Sequence, residues 1–287
     1  LDSNSTNHFN LAKIKELLGD NAGATTHYYK SIEAEPDSAI GYERLAYLLG
    51  RTGKRDEARQ VISAWLEQMP DHTTALHAQA SYSDTPPERA PNQYVSELFD
   101  KFADDFDRSL ARLDYQAPQL MAEEADRLLR PADGSLDILD AGCGTGLSAD
   151  ALRPRAAHLV GVDLSAKMLE RARERHAYDL LCEQEITAYL GQNQASFDVI
   201  FCCDTLVYFG ELADILDAFR QALRPGGWLF FTVELTQEQA DYKLGFHGRY
   251  SHNQAAVERN LRSCEFNRAS LKRVILRKES GQPVEGL

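Results

Sequence analysis

Ile138-Leu139-Asp140-Ala141-Gly142-Cys143-Gly144-Thr145-Gly146 is the stretch that decides the reading of this chain. An apolar, strand-forming run ends in a glycine-rich turn, and glycine lets a backbone turn tightly and approach a ligand lying at the N-terminus of the next helix. The spacing is G-x-G-x-G, which differs from the G-x-G-x-x-G of nicotinamide and flavin dinucleotide sites. Asp163, in Gly161-Val162-Asp163-Leu164-Ser165, stands at the end of the next predicted strand, one helix and one strand beyond Gly142. A carboxylate placed there can accept both ribose hydroxyls of a nucleoside.

Outward from this loop the pattern alternates. β-rich apolar runs at 136–139, 158–162, 179–182, 198–203 and 228–233 are separated by helical stretches at 148–152, 166–176, 186–191 and 211–223. That order predicts an α/β fold with a parallel sheet and helices on both faces. Beyond it, 253–264 reads as a helix, 268–277 as a strand, and 283–287 as the start of one more strand that the sequence cuts short. Upstream, Val95, Leu98, Phe99, Phe102, Phe106 and Leu110 recur at spacings of three and four, an amphipathic helix interrupted near Asp104, and 118–130 reads as a second helix closed by Pro131. Phe99, Phe102 and Phe106 serve either core packing or a lid, with packing the simpler reading.

Upstream of Ser81 the chain obeys a different rule. At an offset of 34, Leu11 recurs as Leu45, Ala12 as Ala46, Ala24 as Ala58, Tyr28 as Ile62 and Pro36 as Pro70. This matches a helix-turn-helix unit of about 34 residues. It resembles a tetratricopeptide repeat, with 73–80 as a capping helix. Two repeats and a cap are fewer than such arrays need for independent stability, so the module leans on the second half of the chain. It either offers a surface to a protein partner or a homodimer, or braces that second half; Trp65 and Tyr42 are read as packing before ligand site. The polar, proline-bearing stretch between Ser81 and Gln93 marks the boundary, giving an all-α region over 1–83, a linker over 84–93 and a second domain over 94–287.

Composition narrows the partners. A net charge of −13, from 31 basic and 44 acidic side chains, leaves no general positive field for nucleic acid or an anionic membrane. Arg268, Lys272, Arg273, Arg277 and Lys278 form a local basic run, read as a solvated strand face. Five cysteines, odd in number and without C-x-x-C spacing, predict a reducing cytoplasm. The N-terminus carries no signal pattern and no window is apolar enough for a membrane span; Leu1 in place of Met suggests a trimmed chain. The eight histidines are dispersed, so no metal site is expected.

With these motifs in hand, the chain resembles the class I S-adenosylmethionine-dependent methyltransferases. The stretch YVSELFDKFADDFDRSLARLDYQAP from Tyr94 and Gly248-Arg249-Tyr250-Ser251-His252 further resemble the group with tetratricopeptide repeats in front. The resemblance implies a Rossmann-like domain on a mostly parallel seven-stranded sheet, with S-adenosylmethionine across the carboxyl ends of the first two strands. Carried over residue by residue, it implies that Gly142, Cys143, Gly144 and Gly146 present backbone to the methionine end and that Asp140 stands near its amino group. Asp163 would hold the ribose, Leu164 and Met168 would flank the adenine, and Glu185 with Ile186 would meet the adenine edge, although Gln184-Glu185 departs from the commoner Gly-Asp. Cys202-Cys203-Asp204-Thr205-Leu206-Val207-Tyr208-Phe209 resembles the segment lining the methyl-transfer site, with Asp204 among the cofactor contacts. It lacks the (Asp/Asn)-Pro-Pro-(Tyr/Phe) of many amide and nucleobase enzymes, which points away from those acceptors. His252, Tyr208 and Arg249 are the catalytic candidates, with Tyr250 and His247 nearby; a histidine suits proton transfer and an arginine an anionic substrate group. The acceptor implied is a small molecule or carrier-bound metabolite, the alternatives being protein methylation guided by the repeats or a non-catalytic cofactor-binding adaptor.

Overall fold

The computed structural model describes residues 3–129, 132–279 and 281–287, in two compact units: 1–87 with Leu244–Arg249, and 88–243 with 250–287. The first unit contains α1 (Ser3–Leu17), α2 (Asn21–Ala34), α3 (Ala39–Arg51), α4 (Arg55–Gln68) and α5 (Thr73–Ala80). The 34-residue register is a packing register. Ala12 and Ala46, Ala24 and Ala58, and Tyr28 and Ile62 are all buried, because small residues let paired helices approach. Leu11 departs from it, standing 39% exposed where Leu45 is fully buried. Trp65 stacks on Tyr42 with ring centroids 6.1 Å apart, both buried, so the pair is packing. Phe246 of the Leu244–Arg249 segment joins this core against Tyr47, and His77 Nε2 lies 2.9 Å from the Gly248 carbonyl.

The second unit begins with α6 (Asn92–Phe102), α7 (Phe106–Arg112) and α8 (Ala117–Leu128). The amphipathic stretch does break near Asp104; the close of the next helix at Arg130 and Pro131 lies outside the described residues. Then β1 (Leu136–Ala141), α9 (Ala149–Leu152), β2 (Ala156–Asp163), α10 (Ala166–Glu174), β3 (Leu180–Glu183), α11 (Ile186–Gln192), β4 (Phe197–Cys202), α12 (Ala213–Ala222) and β5 (Leu223–Phe231) alternate. These strands pair in parallel in the order β3-β2-β1-β4-β5. Successive residues feed opposite faces: Ile138, Val199 and Phe201 pack toward α8 and α9, and Leu139, Ile200 and Cys202 toward α11 and α12. Chain order reverses at β1, flanked by β2 and β4, and in open α/β sheets ligands bind outside the strands' carboxyl ends at such a point. The loops after β1, β2 and β4 therefore frame the place where a ligand would lie.

The rest corrects the expectation of a single seven-stranded sheet. After β5 come β6 (Glu234–Leu235), β7 (Tyr242–Leu244), β8 (Tyr250–His252), α13 (Gln254–Ser263), β9 (Val274–Glu279) and β10 (Gln282–Gly286). Among the described residues, the strands after β5 form a separate sheet in the order β7-β8-β6-β10-β9. The chain leaves the parallel sheet at Thr232–Val233, where Val233 exchanges backbone hydrogen bonds with Leu287 and β10 runs antiparallel to β6 and β9. The strand expected from Arg268 begins only at Val274.

Candidate functional site

The loop after β1 is tied back onto β2. Gly142 N and Cys143 N both donate to the Val162 carbonyl, at 2.8 and 3.1 Å, Gly144 N donates to Asp163 Oδ2 at 2.9 Å, and Gly146 N to the Cys143 carbonyl at 2.8 Å. With these N–H groups engaged inside the loop, what the loop presents outward is mainly acceptor. Gly142 has φ +76°, and a Cβ there would stand 2.2 Å from Thr205 Oγ1. Gly142→Ala is accordingly expected to combine the left-handed penalty of about 1–2 kcal/mol with a clash. It should lower the melting temperature and weaken nucleoside-ligand binding by about tenfold; unchanged binding by calorimetry would mean that the loop's shape is not what the ligand reads.

Carboxylates gather at this loop. Asp163 closes β2, its Oδ1 accepting from Ser165 N at 2.9 Å while Oδ2 takes Gly144 N. Burial raises its pKa, the N–H groups of Ser165, Gly144 and Leu164 pull the other way, and Asp100 adds to the rise. Asp140 is 1% exposed at the end of β1 and accepts from the Tyr178 hydroxyl at 2.7 Å. Burial pushes its carboxyl up to about 7, against the Tyr178 hydrogen bond and with help from Asp163. Arg175 reaches the loop but donates to the Thr145 carbonyl and to Asp107. A phosphate ligand needs donors and positive charge; this place offers acceptors and negative charge, which suits a cation that carries hydroxyl and amino donors.

The segment after β4 closes the site. Thr205 Oγ1 lies 3.4 Å from the carbonyls of Ala141 and Gly142. Asp204 sits in the left-handed region, φ +52°, with its N donating to Thr232 Oγ1 at 2.8 Å and its carboxylate paired with Arg277 Nη1 at 3.1 Å. A non-glycine residue there is strained and persists where surroundings over-determine it, which is common at functional sites. Tyr208, half-buried in a turn at 206–208, packs edge-on against Phe99 at 5.5 Å, and Phe99 against Phe106 at 5.8 Å; Phe102 points away, 47% exposed.

The other sequence candidates are spread more widely. Leu164 is half-buried beside Asp163, Met168 is fully buried and Ile186 is 7% exposed and packed in the core. Glu185 caps α11, accepting from Ala188 N at 2.9 Å, and pairs with Arg89 at 3.0 Å; burial works against its charge, but the N–H groups of Thr187 and Ala188 and then Arg89 hold its pKa down. Arg249 lies in the Leu244–Arg249 segment that groups with the helical unit. His252 is a buried β8 residue whose Nε2 lies 2.9 and 3.1 Å from the Phe209 and Gly210 carbonyls, so that Nε2 carries the proton, and Nδ1 has no hydrogen-bond partner among the described residues. Burial pushes its pKa down to about 4 despite those two carbonyls, and the ring is neutral near pH 7. Asp100, Asp107, Tyr178 and Arg277 are missed as site residues because each acts through a partner distant in the chain, whereas Thr205 lies inside the 202–209 segment already singled out.

The sequence profile of the methyltransferase-domain family matches residues 113–278, and the chain belongs to that family. It is 32% identical to a ubiquinone biosynthesis O-methyltransferase of Paracidovorax citrulli, over 42% of this chain and 56% of that protein. It is likewise 32% identical to a malonyl-[acyl-carrier protein] O-methyltransferase of Erwinia pyrifoliae, over 54% and 56%. The chain thus spans about half the length of the curated relatives it matches. Among solved structures, a Burkholderia thailandensis 1,6-didemethyltoxoflavin-N1-methyltransferase with bound S-adenosylhomocysteine shares the fold at TM-score 0.53 and 18% identity, covering 71% of this chain and 90% of that one. The [4+2]-cyclase SpnF does so at 0.51 and 24%, covering 62% and 73%. That second likeness shows why fold alone does not fix a reaction.

Proposed function

We propose that this protein transfers the methyl group of S-adenosylmethionine to a hydroxyl or amine of a small or carrier-bound acceptor. The observation that carries the reading is the pairing of a donor-poor loop with Asp140 and Asp163 at the ends of adjacent strands. Such a cradle matches a ligand with a sulfonium, an ammonium and two ribose hydroxyls. S-adenosylmethionine brings a methyl already activated on sulfur, so the chain's part is placement, exclusion of water and acceptance of a proton. In this reading Asp163 takes the ribose hydroxyls, the carbonyls of the 142–146 loop and Asp140 face the ammonium end, and Leu164 borders the adenine. Tyr208 and Asp204 stand on the acceptor side; the neutral, carbonyl-bound His252 supports the shape of the 208–210 turn. The relatives' names favour oxygen as the acceptor atom. We read the helical unit as a tetratricopeptide-repeat module, on its 34-residue spacing, with its border in the 84–93 stretch.

The test is calorimetric titration with S-adenosylmethionine and S-adenosylhomocysteine, then a mass-spectrometric search for methylated products among small hydroxyl- and amine-bearing compounds and acyl-carrier-bound acceptors. Micromolar cofactor binding with methylated product supports the reading, and failure of the intact protein to bind either compound ends it. The same titration carries a pH prediction. Burial raises the folded-state pKa of Asp140, so its contribution to stability is complete below the unfolded value near pH ~4 and is lost as pH rises through about 7. A cationic ligand favours the ionised form, so binding should expel a proton and tighten as pH rises from about 6 to about 8. Calorimetry in buffers of different ionisation enthalpy would show it, and Asp140→Asn should abolish that part; equal proton release by the variant would remove Asp140 from the site.

A further inference from the structure

Thr145, at the centre of the glycine-rich loop and 3% exposed, is gripped by a closed ring of three hydrogen bonds. Its hydroxyl donates to Asp107 Oδ1 at 2.5 Å, Arg175 Nη2 donates to Asp107 Oδ2 at 2.6 Å, and Arg175 Nε donates to the Thr145 carbonyl at 2.6 Å. Side chain and backbone of one loop residue are thereby fixed from two directions, from α7 through Asp107 and from the end of α10 through Arg175. The Arg175 stem also lies where it limits Gly146, since a Cβ on that glycine would meet Arg175 Cδ at 3.1 Å.

The element that carries Asp107 is only lightly packed, chiefly through Phe106 edge-on to Phe99 at 5.8 Å. None of the residues of α7 is buried, and beneath it runs a cleft of about 390 Å³ lined by Leu110, Ala111, Tyr115, Pro118 and Leu147 among others. The rest of its attachment is polar. Asp100, Asp104 and Asp107, spaced four and three apart on α6–α7, meet Ser165 Oγ, Arg171 Nη2 and Arg175 Nη2 on and around α10. Exposed ion pairs of this kind hold weakly and are screened by salt. The grip therefore costs little to open, and what it decides is the conformation of the loop more than the stability of the fold.

We infer that Asp107 and Arg175 are positioning residues for cofactor binding, acting as one unit that sets the Gly144–Gly146 backbone through Thr145. The inference rests on the cofactor reading above. In the free protein the grip preorganises the loop, so that less ordering is left to the binding step. Since both members act on the same residue, losing either releases the loop, and losing both releases it no further.

The experiment is a double-mutant cycle on S-adenosylhomocysteine affinity with Asp107→Asn, Arg175→Gln and the pair together, with Thr145→Val as a third route to the same loss. Each single change is expected to raise Kd about threefold to tenfold, and the pair by no more than the larger single. Melting temperature of the free protein should hardly move, because Asp107 and Arg175 keep 47% and 26% of their side-chain surface exposed. Raising salt from about 50 mM to about 500 mM should weaken binding by the wild type more than by any variant. Single effects that multiply in the pair, or affinities equal to wild type at all salt concentrations, overturn the inference. A wild type that binds no S-adenosylhomocysteine overturns instead the cofactor reading on which it rests.

Discussion

Replacing Asp163 with alanine is expected to weaken S-adenosylhomocysteine binding by about a hundredfold or more while leaving a folded protein. The carboxylate holds Gly144 N and Ser165 N at 2.9 Å each and stands at the end of β2, where the ribose hydroxyls would reach it. Hydrogen bonds to a charged group contribute about 1.5–3 kcal/mol each, so two to a ribose make ~3–6 kcal/mol, and a hundredfold corresponds to the low end. Alanine also leaves two backbone N–H groups without their acceptor, at about 1–3 kcal/mol each where water cannot reach them. Those losses fall on loop geometry in the free protein and should lower its melting temperature. Asn is the sharper control. Its amide oxygen can satisfy one N–H, but its NH₂ then faces the other donor, so Asp163→Asn should bind nearly as poorly as alanine. Calorimetry that found either variant within threefold of wild type would place the nucleoside elsewhere.

The part of this site that could be read in advance is the part encoded locally. The run ending at Ala141, the glycines after it and the carboxylate of Asp163 lie close together in the chain, and strand-loop-helix physics ties them together without help from distant segments. Repeat spacing was legible for the same reason, since a buried alanine that recurs at a fixed offset needs only its neighbouring helix. Non-local pairings were not legible. Alternating charge over 268–278 reads as a solvated face, yet Arg277 is 2% exposed, because its partners come from the ends of other strands. Asp104, Asp105 and Asp107 all form exposed ion pairs, but only the fold shows that Asp107 also reaches Thr145. His252 is a local motif in a non-local environment. A histidine in a family-like motif attracts a catalytic role, but only the fold reveals a ring buried against two carbonyls. Strands of two and three residues, such as β6 and β8, carry no periodicity to detect.

Arg277 is where the largest stability effect is expected. Its guanidinium is 3% exposed and meets Asp204 at 3.1 Å, Glu279 at 2.7 Å and Glu234. Burial alone would lower its pKa, but Asp204, Glu234 and Glu279 override that and hold it up. One positive charge thus serves three carboxylates, Glu234 being 6% exposed and Asp204 18%. Removing one member of a buried ion network typically costs about 3–5 kcal/mol, because the partners left behind are desolvated and uncompensated. Against a total stability of roughly 5–15 kcal/mol, Arg277→Met should therefore lower the melting temperature steeply. Protonation of a carboxylate left behind relieves part of the cost, so the deficit should be smaller at about pH 5 than at about pH 8. Pairing Arg277→Met with Glu234→Gln should recover part of the loss, since one buried negative charge goes with it. Asp204 would meanwhile lose one of the partners that hold its left-handed conformation, so methyl transfer should fall further than cofactor affinity in whatever fraction stays folded. A destabilisation below about 1 kcal/mol, flat across that pH range, would mean that water reaches these carboxylates and that the network behaves as a surface one.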